Sequence, residues 1–265
     1  LMNQAYDYYV TKSSLEWQLE IGVTEAICDV PINRYEEQSI KPKLKITASS
    51  NIIPVKTVPN FFPAKEAAND LAEVLAAKCN DLTSLRDAMG LFDLCALKKG
   101  ARNLVFSDGP DKARVMVIAE APTREEDIEG KPFVGTEGIL IDKMFQAIGL
   151  SRNTTKRDEA IHISKVMPWR PPQSRDPNAE EIAMMLPFLK RHVELVNPDF
   201  VVLMGNVACS AVLNKVGINR FRGQWADGFG KPVLPMLHPR ALIRDPIRKR
   251  DAWDDLLTLK SRMSS

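Results

Sequence analysis

Four short apolar runs, each followed by helical patterning, predict an α/β fold: a three-layer α/β/α domain with a central four-stranded parallel sheet and a helical N-terminal extension. Three observations carry that prediction. The runs 114–119, 160–166, 200–204 and 233–237 are nearly continuous apolar stretches, the pattern of strands buried on both faces. Between them lie segments with apolar residues at helical spacing, and strand–helix alternation implies parallel strands joined by crossovers. A chain of 265 residues with 45% hydrophobic content can bury a core of that kind.

The elements follow in chain order. Residues 1–34 form an N-terminal helical segment, with Tyr8, Tyr9, Leu15, Leu19 and Val23 at loosely helical spacing. Residues 35–65 read as a partly disordered linker, where Pro42, Pro54, Pro59 and Pro63 interrupt short apolar pieces. The main domain spans 66–265 and opens with a helical lead-in over 66–89, patterned by Leu71, Val74, Leu75, Leu82 and Leu85. After the first strand, 137–148 is a helix on Ile139, Leu140, Met144, Phe145 and Ile148, closed by Gly149. After the second, 178–196 is a helix. Asn178 caps it, Glu181 completes a capping box, and Pro187 is expected to kink it. Gly205 closes the third strand and a helix starts at Val207; a last helix over 250–261 carries Trp253, Leu256, Leu257 and Leu259.

Composition excludes several classes of protein. No stretch reaches the roughly 20 consecutive apolar residues needed to span a bilayer, so no membrane partner is expected. Leu1 to Tyr6 lack the basic-then-apolar pattern of a signal peptide. Cys28, Cys79, Cys95 and Cys209 form no CxxC pair, which predicts neither a zinc site nor a disulfide framework and fits reduced thiols in the cytoplasm. The formal net charge of +2 names no partner, so local charge must.

In parallel α/β sheets, ligands bind beyond the carboxyl ends of the strands. The first such end delivers Glu120-Ala121-Pro122-Thr123, the acids Glu125, Glu126 and Asp127, and Gly130-Lys131-Pro132-Phe133-Val134-Gly135. Glu125 and Glu129 read as solvated surface acids. Glu120, directly behind a buried strand, is placed to orient water or to stabilise a developing positive charge. Phe133 is either a core aromatic or a platform on which a planar base stacks. His238, at the end of the last strand and followed by Pro239, is placed to donate a hydrogen bond to an anion forming on a leaving group. His162, inside a strand, and His192, on a helix, read as structural. A basic, aromatic loop runs from Trp169 through Arg170 to Arg175; Arg220 and Arg222 add charge, and Arg240, Arg244, Arg248, Lys249 and Arg250 follow His238. One such run is usually a solvated face. Three on strand-end loops read as a rim for phosphates.

Taken together and in order, these segments resemble the uracil-DNA glycosylase superfamily, in its family 4 form, over about residues 90–262. The first family motif, G-E-A/G-P-G followed by E-E-D and G-x-P-F-V-G, stands here as Ala119 to Thr123, Glu125 to Asp127 and Gly130 to Gly135. R-P-P-x-N-R appears as Arg170 to Arg175, R-G-x-W as Arg222 to Trp225, and H-P-S/A as His238-Pro239-Arg240. The resemblance implies base-excision repair, in which a deoxyuridine in single- or double-stranded DNA is turned out of the stack and its N-glycosidic bond hydrolysed. It implies that Phe133 stacks on the uracil and that the backbone around Ala121 lines its pocket. It further implies that His238 stabilises charge on the departing base. Glu120 acts on the water or the cationic sugar, with Glu126 or Asp127 in support, while Arg170, Arg175, Arg222, Arg240 and Arg244 hold phosphates. A monomer is implied as well.

Three departures qualify it. Family 4 holds a [4Fe-4S] cluster on four cysteines; Cys95 matches one ligand, while Phe92, Trp169 and Met185 stand at the other three. Four thiolates are the usual requirement, so no cluster and no other cofactor is expected. Lys165 stands where the family reads uracil's edge with an asparagine; an ammonium offers donors only, and discrimination against cytosine is expected to weaken. Ala119 and Thr123 replace glycines, and a Cβ at 123 is expected to crowd the pocket or the DNA. The alternative reading is a catalytically weakened relative that binds DNA or damaged sites.

Overall fold

The structure, a computed structural model, describes residues 65–264; the expectations for 1–34 and 35–64 lie outside the described residues. Six strands form one sheet in the order β1-β3-β2-β4-β6-β5. They are β1 (Ser107–Asp108), β2 (Val115–Ala119), β3 (Ile161–Lys165), β4 (Phe200–Met204), β5 (Ala226–Gly228) and β6 (Lys231–Met236). The four expected strands are the parallel centre, with Val117 opposite both Ile163 and Val202, and Val202 opposite Leu234. Two short antiparallel edges, β1 on β3 and β5 on β6, were not foreseen; at two and three residues they leave no periodicity to read. Every residue of β2 is fully buried, which explains its unbroken apolar run.

Eight helices cover the sheet among the described residues. The lead-in is two helices rather than one, α1 (Lys65–Ala77) and α2 (Leu82–Leu91). Asp81 breaks it: its carboxylate accepts the Ser84 N–H at 2.7 Å, and a capping box restarts the helix. The buried face of α1 is Ala68, Ala72 and Ala76, while Leu71 and Val74 are 43% and 49% exposed, opposite to expectation. Alanines let α1 lie close against α5 (Ala179–Val196). The Asn178–Glu181 box forms as expected, with both cross bonds at 2.8 Å, and α5 runs unbroken through Pro187.

The acidic loop contains α3 (Arg124–Glu129), followed by α4 (Gly135–Gln146); α6 is Asn206–Leu213, α7 Pro239–Arg244 and α8 Lys249–Met263. The chain leaves β2 toward β3, then passes back over β2 to β4 and onward to β6. Right-handed crossovers therefore put α4 on one face and α5 and α6 on the other. The direction of winding reverses between β2 and β4, and a crevice opens at such a reversal.

Candidate functional site

Glu120 follows β2 and Gly205 follows β4, so both flank that reversal. Glu120 Oε1 accepts the Val207 N–H at 3.2 Å, at the start of α6. Gly205 makes this possible: a Cβ there would lie 2.3 Å from Glu120 Oε1. Its φ of +95° also belongs to glycine's territory. Burial pushes the Glu120 carboxyl above its usual range, and Asp176 adds to this; the Val207 N–H, Arg240 and Lys165 oppose it. A half-buried carboxylate with a raised pKa is a better proton acceptor than a solvated one.

The acids behind Glu120 have other partners. Thr123 caps α3: its hydroxyl accepts the Glu126 N–H at 3.2 Å, and its own N–H donates to Glu126 Oε2 at 2.7 Å. The Cβ expected to crowd the pocket thus belongs to a helix cap. Glu126 is 1% exposed; its Oε1 also accepts the Phe133 N–H and lies 2.6 Å from Lys165 Nζ. Asp127 is 5% exposed, and its Oδ1 accepts the Arg102 and Asn103 N–H groups at 2.9 and 3.2 Å. Support of Glu120 was expected from Glu126 or Asp127; backbone N–H groups hold both carboxylates, because helix α3 turns them inward.

Phe133 is held in the left-handed region at φ +50°, a costly conformation for an aromatic residue. Glu126 takes its N–H, and Arg152 Nη2 donates to its carbonyl at 3.1 Å. Arg152 is itself fixed by Asp142 at 2.7 Å and Asp108 at 3.0 Å. Gly138 passes so near that a Cβ would sit 2.1 Å from Phe133 O. Nothing in the local sequence around Arg152 marks this clamp. The Phe133 ring lies 5.5 Å from the His238 ring, tilted by 39°, and Lys165 Nζ stands 4.3 Å from its centroid. The ring is 2% exposed, so it is packed rather than presented as an open platform.

His238 is the N-cap of α7. Its Nδ1 accepts the Arg240 N–H at 3.3 Å, which places the ring proton on Nε2. Burial, together with Lys165 and Arg240, holds its pKa well below the ordinary value, so the ring is neutral. Glu137 Oε1 accepts from Arg240 Nε at 2.9 Å, while its buried Oε2 has no hydrogen-bond partner and lies 3.9 Å from His238 Nδ1.

Two clefts meet at Glu120 and Arg240. One, of about 270 Å³, runs along His238, Ala241, Arg244 and Arg248. The other, of about 300 Å³, runs along Ala121, Thr123, Ser174 and Arg175. Arg240 and Arg244 are exposed along the first; Arg175 borders the second while paired with Glu181 at 2.6 Å. Arg170 is half-buried and donates to Ser174 Oγ at 3.0 Å. Arg222 lines neither cleft. It grips Asp255 with bonds of 2.9 and 2.6 Å, a structural pair in place of the expected phosphate contact. His162 and His192 are structural, as expected: their Nε2 atoms lie 2.9 Å apart in the core, and burial keeps both pKa values low.

A family description, the uracil DNA glycosylase superfamily, matches residues 106–257 of the chain. The chain is 33% identical to the type-4 uracil-DNA glycosylase of Saccharolobus solfataricus over 196 residues, 70% of this chain and 88% of that protein. It is 36% identical to the type-4 uracil-DNA glycosylase of Thermotoga maritima, over 57% of this chain and 77% of that protein. With that of Archaeoglobus fulgidus the identity is 34%, over 61% and 82%.

Proposed function

The chain belongs to the uracil-DNA glycosylase superfamily, and from that premise we propose that it is a DNA-repair hydrolase that cleaves the N-glycosidic bond of a uracil turned out of the DNA stack. The observation that carries the reading is the placement of Glu120 and His238 along one crevice, a carboxylate at one strand end and an imidazole at another. A leaving uracil takes up the electron pair of the broken C1′–N1 bond and spreads the charge from N1 onto its carbonyl oxygens. The neutral His238, with Nδ1 occupied by the Arg240 N–H, offers Nε2–H to that charge. A fixed donor in a water-poor site is worth about 2.7–4 kcal/mol of transition-state stabilisation. Glu120, oriented by the Val207 N–H, supports the cationic sugar and accepts a proton from the water whose oxygen bonds to C1′. Glu126 and Asp127 act at one remove, by fixing Phe133 and the 102–103 turn.

DNA is the partner. Exposed Arg240 and Arg244, with Arg248 beside them, line the crevice on its Glu120 side and suit phosphate contacts that position without reading sequence. We assign no iron–sulfur cluster to this chain. At the family's cluster positions stand Phe92, Cys95, Trp169 and Met185, all 1–2% exposed, and Phe92 packs edge-on against Phe188 at 5.4 Å. A single thiol among aromatic and thioether groups does not fit such a cluster. Among the described residues no helix is long and apolar enough to cross a membrane; a cytoplasmic monomer is the form proposed.

One observation favours the alternative of a weakened DNA- or damage-binding relative: Lys165 Nζ covers the Phe133 ring. Single-turnover assays on single-stranded and U·G duplex oligonucleotides decide between them. Base release is expected from both, with Glu120→Gln slowing it by about 10²-fold or more. DNA binding without any release at enzyme excess would replace the glycosylase by the binding module.

A further inference from the structure

We propose that the amides of Asn206 and Asn219 read the base pair beside the extruded nucleotide, as hydrogen-bond donors to its minor-groove edge, so that A·T neighbours are preferred to G·C. The inference rests on the glycosylase reading of the crevice and deepens it. Both side chains are exposed and line the cleft of about 270 Å³ that runs from Glu120 to Arg248. Asn206 opens α6, directly behind Gly205. Its Oδ1 accepts the N–H groups of Gly217 and Ile218 at 3.1 and 2.9 Å. Asn219 Oδ1 accepts from Arg248 Nη2 at 2.6 Å. Backbone N–H and guanidinium groups only donate, so these contacts fix which end of each amide is the oxygen. Each NH2 group is thereby turned away from those partners, and neither has a protein partner among the described residues.

Two kinds of donor therefore share this cleft. Arg240, Arg244 and Arg248 carry charge and suit phosphates. The amides are neutral and act only at hydrogen-bond distance. Arginine together with asparagine is a side-chain set that reads the minor groove. There A·T and T·A pairs show acceptors alone, whereas G·C adds the guanine 2-amino donor. An NH2 group facing that amine sets two donors against each other, and a donor left without an acceptor is costly once water is displaced. The cleft leaves Glu120 toward Arg248 while the second leaves it toward Arg175. The preference is therefore expected on one flank of the lesion only.

The test measures binding apart from cleavage. Duplexes carry a tetrahydrofuran abasic analogue, and each flanking pair in turn is A·T, diaminopurine·T, G·C or inosine·C. Diaminopurine adds the minor-groove amine to an adenine, and inosine removes it from a guanine. Fluorescence anisotropy with the full chain should show binding about 2- to 10-fold tighter with A·T and inosine·C on one flank, the range of a neutral hydrogen bond. Asn206→Asp and Asn219→Asp keep the oxygens that hold the 217–218 turn and Arg248 but lose the NH2 groups. Each should reduce the preference, and the double variant should abolish it. Phosphate oxygens could also accept from these amides; the wild type would then bind all four duplexes alike, and the proposal fails. An undiminished preference in the double variant overturns it as well, since duplex stability would then be its source. Amine-dependent binding by a chain that releases no uracil from DNA would overturn the glycosylase reading and leave this one standing. Uracil release without that dependence would do the reverse.

Discussion

The chain carries two buried histidine sites on one sheet, and they differ in a single respect. In the core, His162 Nδ1 meets the Pro110 carbonyl at 2.9 Å, its Nε2 meets His192 Nε2, and His192 Nδ1 meets Ser164 Oγ at 3.3 Å. Phe106 stacks on His192 with ring centroids 4.6 Å apart. Every ring nitrogen there has a protein partner. At the end of β6, His238 is as deeply buried and as firmly neutral, yet only its Nδ1 is engaged. Burial and a depressed pKa are thus common to both; spare hydrogen-bonding capacity at a strand end distinguishes the site from the scaffold.

The widest expected separation comes from truncating one histidine of each kind. His238→Ala should slow uracil release by about 10²–10³-fold while melting close to the wild type. His192→Ala should cost about 2–4 kcal/mol of stability through lost packing and an unpaired His162, with single-turnover release nearly unchanged at a temperature where it is folded. Equal effects of both variants on release would erase the distinction drawn here.

Arginines sharpen the same contrast. Arg222→Ala should destabilise by about 2 kcal/mol, since it strips a buried carboxylate of charged donors. Asp255, pushed up to about 6 mainly by burial, limits the loss by taking a proton. Arg244→Ala should leave the melting temperature alone, weaken DNA binding and lower the salt slope by about 1. A loss of salt dependence in Arg222→Ala with no change in melting would return Arg222 to the DNA-facing set.

The smallest effect is on the pH dependence of stability. The folded-state pKa values of His162 and His192 lie below the ordinary 6.5, so between the folded and unfolded values the unfolded chain holds more protons. Stability is then complete above the unfolded value and falls as pH drops toward the folded one, by at most about 1.4 kcal/mol per pH unit for each proton. Chemical denaturation from pH 7 to 5 should show this slope in the wild type and a shallower one in His192→Phe. Asp255 and Glu120, both raised, oppose this slope in both proteins, so the difference between wild type and variant is the readout; identical slopes would mean that the core pair does not contribute.

What was legible in the sequence was whatever is local. Phe200–Met204 was read to the residue and the Asn178–Glu181 box as it stands, because an apolar run and a cap are written in consecutive residues. Glu120 and His238 were legible because strand ends announce themselves. Helix α3 was not: its six residues are mostly acids, and the Thr123 cap read as a lost glycine. The partners of Glu126, Asp127 and Arg222 lie up to 39 residues away along the chain, and no pattern in their neighbourhoods gives that distance. Lys165 shows this most clearly. Read alone it is an ammonium without an acceptor, and only the fold sets Glu126 beside it.

Phe133 has a consequence for how this sequence can drift. A left-handed backbone at an aromatic residue costs about 1–3 kcal/mol, and glycine or asparagine would sit at φ +50° with less strain. The clamp from Arg152, Glu126 and Gly138 holds the backbone whatever side chain it carries. Mutation at this codon is therefore biased away from phenylalanine by the backbone, and toward it only by what the ring touches. In a lineage released from selection on its crevice, position 133 would be among the first to lose its aromatic, well before the apolar strands beneath it began to change.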